Sequence, residues 1–395
     1  MRILAKIGKG AFTSAGLIVL LAALVITISL AGPVFRFEKP HPFSGPDIFN
    51  PYVALDTVQG WKRAVLHTHT RVKGPWPVNE CPYWPEHVDS VYRSLGYEIV
   101  TFSNHNELTA HPTDPALQVN VYEHGYNVNK YHLLVFGSRK VIHWDPLILF
   151  TPSQRQFCLN YLGRSADFIQ MNHPYRTLGT SRAEMEKLSG YRIMELDTSV
   201  STENEYWDWA LSAGHYSFGF ASDDLHNPDA PERTAIRCGF IQTPSGRYED
   251  LKAALLGGCY YAMRVPAGDN WEEKRTIKLP KVVDIGLEGE TIRIALSEKA
   301  DSIRVNGQDH ATLKLVQNTE SCEYALRPED PYARFTAFFP DGAVIYTNPF
   351  ARYDAAIGLS EPEPPVDIPN TVLYNLLLLC LAILWLRLLR KLFKR

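Results

Sequence analysis

The sequence predicts an α/β fold with a parallel sheet, followed by a small all-β sandwich and flanked by two transmembrane helices. Three observations support this prediction. Between residues 61 and about 265, short apolar runs alternate with helical patterns. Beyond residue 267 the apolar runs are β-branched, closely spaced and separated by turns. Near each end of the chain lies a long stretch without a charged residue.

The first uncharged stretch runs from Gly10 to Phe35 and is long enough to cross a bilayer as a helix. A cleaved signal peptide is the alternative because Leu30-Ala31-Gly32 offers small residues, although its apolar region would be unusually long. Basic residues before the stretch favour a cytoplasmic N-terminus. These residues are Arg2, Lys6 and Lys9.

The second uncharged stretch, Thr371 to Leu386, is rich in Leu and lies before a basic tail. Its alternative is an amphipathic helix in the membrane interface. With positive charge on both outer flanks, we expect a two-pass protein of the plasma or inner membrane whose residues 36–370 are extracytoplasmic. The basic residues of the tail are Arg387, Arg390, Lys391, Lys394 and Arg395.

The region from 61 to 267 is predicted to alternate strands and helices, which indicates a parallel sheet that is open or closed into a barrel. Thr151-Pro152 gives a helix start signal, and Gly257-Gly258 gives a stop signal. The strand candidates are Ala64–Leu66, Glu98–Phe102, His132–Phe136, Phe168–Met171, Arg192–Leu196, Ser217–Ala221 and Ile236–Ile241. The helix candidates are Pro85–Leu95, Pro152–Leu162, Ser181–Leu188, Glu205–Ser212 and Tyr248–Leu256.

The region from 268 to 350 is predicted to be a sandwich of about six strands, because Asn306-Gly307 and Asp341-Gly342 are strong hairpin signals. The strand candidates are Val282–Leu287, Thr291–Leu296, Ser302–Val305, Thr312–Val316, Arg334–Phe339 and Ala343–Tyr346. The predicted organisation is therefore a tip and first span (1–35), a Pro-rich connector (36–60), the α/β region (61–267), the sandwich (268–350), a linker (351–370) and the second span with its tail (371–395).

Composition narrows the function further. A hydrophobic content of 45% and a net charge of −3 argue against a nucleic-acid-binding surface and against a disordered chain. The six cysteines form no CxxC pair, so a structural zinc ribbon is not expected. An extracytoplasmic domain permits disulfides, but the spacing identifies no pair.

The strongest chemical signal is His67-Thr68-His69-Thr70, directly after an apolar run. In a strand, residues two apart point the same way, so both imidazoles project from one face at the strand end and form half of a metal site. A pair of surface histidines is the alternative for an isolated motif of this kind. Further polar groups occur later in the chain, most of them at the end of an apolar run: Asn104-His105-Asn106, Glu123, His132, Asn172-His173-Pro174 and Asp224-Leu225-His226.

This ordered set resembles the polymerase-and-histidinol-phosphatase (PHP) family of metal-dependent hydrolases over residues 61–265. The resemblance implies a distorted (β/α)7 barrel that binds two or three metal ions, in agreement with seven predicted strands. The block Leu251–Tyr261, followed by the β-rich region, is most similar to the carbaryl-hydrolase-like branch of the family.

The resemblance also implies a role for each ligand. His67, His69 and Asp224 would hold one metal, and Glu123 would bridge it to a second. His132 and His173 would complete the second site, and His105 and His226 would hold a third. The family's Asp after the first motif is absent, and Glu80 takes its place; Asn104 replaces a second acid. Both departures concern the third metal. The implied metal ligands are His67, His69, Glu80, His105, Glu123, His132, His173, Asp224 and His226. The candidate catalytic residues are Glu123, Asp224 and Arg176.

Imidazole and carboxylate ligands suit Zn, Mn or Fe. Two such ions can bridge a hydroxide and clamp the attacked group, which predicts a phosphoesterase. Arg176 is a candidate phosphate clamp, with a surface salt bridge as its alternative. Glu195 ends a strand run and is a candidate partner for a ligating histidine. The alternatives are an amide, carbamate or carboxylic-ester hydrolase, and a non-catalytic metal-binding scaffold. Two anchors with stiff connectors favour a lipid-linked phosphoester, and a soluble ester is the alternative.

Overall fold

The computed structural model of the chain describes residues 2–74, 79–196, 199–266, 268, 270–359 and 363–393, with the backbone alone for residues 2–13. Parts of the sequence predictions lie outside these residues. They are the domain boundary at Ala267, the linker residues Glu361-Pro362, the tail residues Lys394 and Arg395, and the side chains of Arg2, Lys6 and Lys9.

The described residues form eight α-helices and 16 β-strands. The helices are α1 (Arg2–Ser29), α2 (Pro85–Ser94), α3 (Pro152–Gly163), α4 (Arg182–Met185), α5 (Glu205–Ser212), α6 (Tyr248–Gly257), α7 (Trp271–Thr276) and α8 (Ile368–Phe393). The strands are β1 (Asp47–Phe49), β2 (Lys62–Val65), β3 (Ile99–Val100), β4 (Val121–His124), β5 (Leu133–Phe136), β6 (Phe168–Met171), β7 (Ile193–Glu195), β8 (Phe218–Phe220), β9 (Arg237–Ile241), β10 (Tyr260–Arg264), β11 (Val282–Glu288), β12 (Thr291–Asn306), β13 (Thr312–Ala325), β14 (Tyr332–Phe338), β15 (Val344–Thr347) and β16 (Phe350–Tyr353).

The strands form two sheets in a mixed α/β arrangement. Strands β4 to β8 form a five-stranded sheet in chain order, and the other strands form an eleven-stranded sheet. In the smaller sheet β5 is antiparallel to both neighbours, whereas β6, β7 and β8 are parallel. In the larger sheet β2 is parallel to β3 and antiparallel to β9. Two isolated parallel bridges, His105 with Glu123 and Thr68 with Leu225, link the two sheets.

The closed seven-stranded barrel is a prediction that the structure does not show. Among the described residues, β2 to β8 are divided between the two sheets, and the ladders give way to two single bridges. The reason is local. At these junctions Thr68, Leu225 and His105 lie in loops just beyond their strands, next to the candidate ligands, so the backbone there does not continue a ladder. The seven predicted strands also included β9 and omitted β4. All four residues of β4 are buried, but two of them are the ionisable Glu123 and His124, so the sequence shows no apolar run there.

The strands predicted as a separate sandwich continue the larger sheet. Strand β15 pairs with β10, β10 with β9, and β9 with β2. Strand β10 connects the two regions because its first four residues, Tyr260 to Met263, are all buried and its backbone pairs on both sides. The two predicted runs Thr291–Leu296 and Ser302–Val305 are one strand, β12, with an irregular register between Ala295 and Ala300.

A helix lies at each apolar end of the chain, α1 near the N-terminus and α8 near the C-terminus. Within the described residues, α8 is the one helix that is long and apolar enough to cross a membrane. Its 26 residues correspond to a length of about 39 Å. A shorter apolar helix covers Ser14–Ser29. The predicted span reached Phe35, but α1 ends at Ser29, ahead of Gly32 and Pro33, which disfavour helix continuation. Among the residues whose side chains the structure describes, one full-length span, α8, is shown.

Helices α1 and α8 nevertheless pack side by side. The Trp385 indole N–H donates to Thr27 Oγ1 at 3.0 Å, and the Tyr374 hydroxyl donates to the Leu30 carbonyl at 3.1 Å. Thr27 pairs with Trp385, and the later residue Leu30 pairs with the earlier residue Tyr374, so the two helices run antiparallel. Most of their large apolar side chains are exposed, Ile18 among them. We call α1 and α8 together the helix pair.

The helix pair is fixed to the α/β region through the start of α3. Thr151 and Gln154 form a capping box there, each satisfying a backbone N–H of the other. The Gln154 side-chain amide also donates to the carbonyl of Ser29, the last residue of α1, at 3.0 Å. The Ser153 hydroxyl accepts from the backbone N–H of Phe35 at 3.1 Å. These bonds set the orientation of the α/β region relative to the helix pair.

Candidate metal centre

The nine predicted ligands gather at one end of strands β2 to β8. His67 and His69 follow β2, His105 follows β3, and Glu123 lies in β4. His173 follows β6, and both Asp224 and His226 follow β8. His132 instead precedes β5, and because β5 is antiparallel to its neighbours, its first residue lies at the same end as the others' last residues. The antiparallel β4–β5 pair thus explains why a Glu and a His nine residues apart meet.

Glu123 lies at the centre of the cluster and is buried. Its Oε2 atom faces three imidazoles: His67 Nε2 at 3.1 Å, His69 Nε2 at 3.1 Å and His105 Nε2 at 2.9 Å. Its Oε1 atom faces two others: His132 Nδ1 at 3.1 Å and His173 Nε2 at 3.5 Å. The two oxygens of one carboxylate therefore address two different sets of histidines, which is the arrangement that a bridging ligand requires.

Asp224 also divides its two oxygens. Its Oδ1 atom lies 3.2 Å from Nε2 of both His67 and His69. Its Oδ2 atom accepts from Nη1 of Arg176 at 2.5 Å. Asp224 has a φ of +53° and His173 a φ of +25°, in the left-handed region that non-glycine residues enter at a cost of about 1–3 kcal/mol. Such strain is typical of functional sites and here aims both side chains inward.

Glu80 lies at the outer edge, where the sequence resemblance places the third metal. Its Oε2 atom is 3.2 Å from His105 Nε2, 3.7 Å from His69 Nδ1 and 3.7 Å from His226 Nε2. The His226 ring packs at 4.6 Å from the His69 ring, and its side chain is 45% exposed. Glu80 and His226 thus form the solvent-facing side of the cluster, in contrast to the buried Glu123.

The donor set fits divalent metal ions. Three groups have ligand atoms within 4.8 Å of one another. In the described part of the chain, the buried atoms His67 Nε2, Glu123 Oε2 and Glu80 Oε2 have no hydrogen-bond partner, although polar neighbours surround them. Unpaired buried polar atoms are costly, and a cation between them removes that cost. The groups are His67 with His69, Glu123 and Asp224; His69 with Glu80 and His105; and His105 with Glu123 and His132.

Electrostatics favour a cation at this position. Burial raises the pKa of Glu123, but the histidines around it, His105 foremost, hold that pKa well below its usual value. Burial lowers the pKa of His67, yet Glu123 and then Glu195 raise it well above its usual value. Burial also raises the pKa of Asp224, and His67 reverses this to a value well below the usual one. Metal binding at His67 would therefore release a proton.

Three residues support the cluster from behind. Glu195, at the end of β7, accepts from His67 Nδ1 at 3.0 Å and from the His173 backbone N–H at 3.0 Å. The sequence had no role for the other two. The Asn172 amide donates to Glu123 Oε1 at 2.8 Å, and the Tyr126 ring stacks on His105 with centroids 4.8 Å apart. Asn172 directly precedes a predicted ligand at a strand end, which is the signal that could have identified it.

Glu195 should tune metal binding without touching a metal. Its carboxylate fixes the His67 ring so that Nε2 faces the cluster, and Gln has the same shape without the charge. We expect Glu195→Gln to weaken metal binding by about 10–100-fold, as the loss of such partners generally does. Competition with a graded chelator measures this, with Glu186→Gln as the control, since Glu186 caps the end of α4 and belongs to none of the three candidate groups. Equal affinities for both variants would show that Glu195 only packs.

The cluster and the mixed α/β fold define a candidate divalent-metal centre. No protein-family model matches the chain, and no curated protein matches its sequence. Among solved structures, the chain is similar to a two-domain protein from Bacteroides vulgatus that contains a predicted PHP-like metal-dependent phosphoesterase. That match has 13% identity and a TM-score of 0.37, and covers 80% of this chain and 100% of that one.

A second solved structure is the lesion-specific endonuclease of Pyrococcus furiosus, with 14% identity and a TM-score of 0.34. This match covers 50% of the present chain and 56% of the endonuclease. The chain thus spans about half the length of that second protein.

Proposed function

We propose that the protein is a metal-dependent hydrolase of the PHP type that cleaves phosphoesters with two or three divalent ions. The observation that carries this proposal is the position of Glu123, whose two carboxylate oxygens face separate sets of histidines within 3.5 Å. A single ion needs no such carboxylate, whereas adjacent ions that share a ligand do. Adjacent ions are typical of enzymes that hydrolyse phosphoesters.

The donor types favour Zn, Mn or Fe, because every candidate ligand is an imidazole or a carboxylate. Five cysteines are buried and Cys380 lies on α8, and none belongs to the three groups in the described residues. When bound, the ions would supply Lewis acidity and make water a stronger acid.

The chain's own residues hold and orient the reactants. Glu123 and Asp224 keep negative charge between the histidines, and the Arg176 guanidinium, paired with Asp224 Oδ2, supplies donors for phosphoryl oxygens. Water then adds to phosphorus, the P–O bond to the alcohol breaks, and the alcohol leaves with a proton. Arg176 favours a charged phosphoester over an amide, carbamate or carboxylic ester. These three remain the alternatives because the same metal site can attack a carbonyl group.

The direct test is hydrolysis of a panel of chromogenic esters by metal-loaded full-length protein. We expect turnover of a phosphoester that a chelator abolishes and that added Zn or Mn restores, and slower turnover of a matched carboxylic ester and a carbamate. Metal binding without turnover of any ester would favour a scaffold. Faster cleavage of the carbamate would favour the other hydrolase class.

We also propose a two-pass membrane topology with the catalytic region outside the cytoplasm. The antiparallel packing of α1 on α8 supports it, because both outer ends then lie on one side. Protease added to intact cells should cleave residues 36–370 and spare tags at both termini. Tags that external protease removes would contradict this orientation.

A further inference from the structure

Four large apolar side chains are exposed on three neighbouring loops near the helix pair. Val128 is 57% exposed, Leu147 47%, Phe150 61% and Leu178 57%. We call these four residues the apolar loop surface. Single exposed apolar residues are ordinary, whereas a group on adjacent loops marks an interaction site.

The three loops form one ordered surface. The Val128 backbone N–H donates to the Leu147 carbonyl at 2.9 Å, and the Leu178 N–H donates to the Asn129 carbonyl at 2.7 Å. The buried Asn129 side chain accepts from the Leu149 N–H at 2.8 Å. Each loop is therefore bonded to another, so the backbone positions that carry the exposed side chains are fixed relative to one another.

The apolar loop surface continues into the helix pair. The Phe150 N–H donates to Gln154 Oε1 at 2.9 Å, and the amide of the same Gln154 side chain donates to the Ser29 carbonyl at 3.0 Å. One side chain thus joins the loop of Phe150 to the last residue of α1. The loops and this end of the helix pair therefore lie side by side and face the same surroundings.

The same loops lead into the candidate metal centre. Leu178 lies two residues after Arg176, and Val128 lies four residues before His132. Tyr126, whose ring stacks on His105, belongs to the loop of Val128. The backbone N–H of Tyr126 donates to the Asp145 carboxylate, on the loop of Leu147. The exposed Lys130, between Val128 and His132, adds a cation to this edge.

We infer that the apolar loop surface inserts into the interface of a lipid bilayer beside the helix pair. This places the metal centre at the level of lipid head groups, so its substrate is the phosphoester of a membrane lipid. The statement about substrate rests on the catalytic function proposed above, whereas the statement about insertion rests only on the membrane topology proposed there. Lipid is the occupant that the geometry favours, because the surface is continuous with apolar helices and Lys130 suits anionic head groups.

Insertion is tested by labelling full-length protein in vesicles of phosphatidylcholine and phosphatidylglycerol. Cys380→Ser removes the exposed cysteine, and the five others are buried. A fluorophore on Phe150→Cys, or in a second protein on Leu147→Cys, should be quenched strongly by nitroxide lipids. The control is Val58→Cys. Val58 is 94% exposed and lies on a different loop, where the Gln59 side chain donates to the Thr243 carbonyl. Quenching at 150 and 147 no greater than at 58 would overturn the insertion.

The substrate class is tested with Phe150→Asp and, separately, Leu147→Asp. We expect either variant to hydrolyse a phospholipid in vesicles at least about 10-fold more slowly than the parent, with an unchanged rate on a soluble chromogenic phosphoester. Equal rates on the vesicles, or equal losses on both substrates, would overturn the lipid assignment. If the parent hydrolyses neither substrate with any metal, the proposed function fails, and the quenching result still decides insertion.

Discussion

Glu123→Gln is expected to remove more than one equivalent of metal and to lower phosphoester turnover by about 10³-fold or more. Gln fills the same buried volume, so the fold should tolerate it. Its amide has no charge and only one oxygen, whereas Glu123 offers one oxygen to each set of histidines. Two of the three candidate groups contain Glu123, so both should lose their ion. Elemental analysis and turnover of the purified full-length variant measure the two effects.

The matched control is Glu80→Ala. Glu80 belongs to one candidate group alone, with His69 and His105, and lies on the solvent-facing side. We expect this variant to lose at most one equivalent of metal and to keep the ions at Glu123. Retention of full metal by Glu123→Gln would contradict the bridging assignment. A greater metal loss in Glu80→Ala than in Glu123→Gln would move the centre of the cluster to the outer edge.

The helices of the α/β region were predictable because their signals are local. Thr151-Pro152 announces α3, and the structure contains the predicted cap with its reciprocal bond to Gln154. The sheets were less predictable because strand order depends on distant residues. The four residues of β4 include Glu123 and His124, both buried, so no hydrophobic run marks that strand. Without β4, its antiparallel pairing with β5 could not be foreseen either.

The sequence predicted which residues form the candidate site better than it predicted which of them would share a metal ion. Apart from Glu80 and Glu123, the ligands sit beside apolar runs, and the ends of strands collect side chains from distant parts of the sequence. The structure, however, brings His105 near both Glu80 and His132, while the sequence resemblance assigned it to the third metal. Which ligand oxygen faces which ring depends on side-chain rotation. No spacing in the sequence encodes that rotation.

Arg176→Met is expected to lower kcat/KM for a phosphoester by about 10²–10³-fold, the range found when one charge-stabilising donor is removed. Arg176 lies next to Pro174-Tyr175, just past the ligand His173, and its Nη1 holds Asp224 Oδ2 at 2.5 Å. The other oxygen of Asp224 faces His67 and His69, so the substitution should leave the metal content unchanged.

Arg176→Lys is the matched variant, because Lys keeps the charge but cannot bind two phosphoryl oxygens through a planar fork. We expect its kcat/KM to lie between those of the parent and Arg176→Met. The rate on a neutral carboxylic ester should change far less, since that substrate carries no phosphoryl charge for the guanidinium to stabilise. An unchanged kcat/KM in Arg176→Met, with full metal content, would reduce Arg176 to a salt-bridge partner of Asp224. A parallel loss of metal would instead show that Arg176 acts by positioning the Asp224 carboxylate.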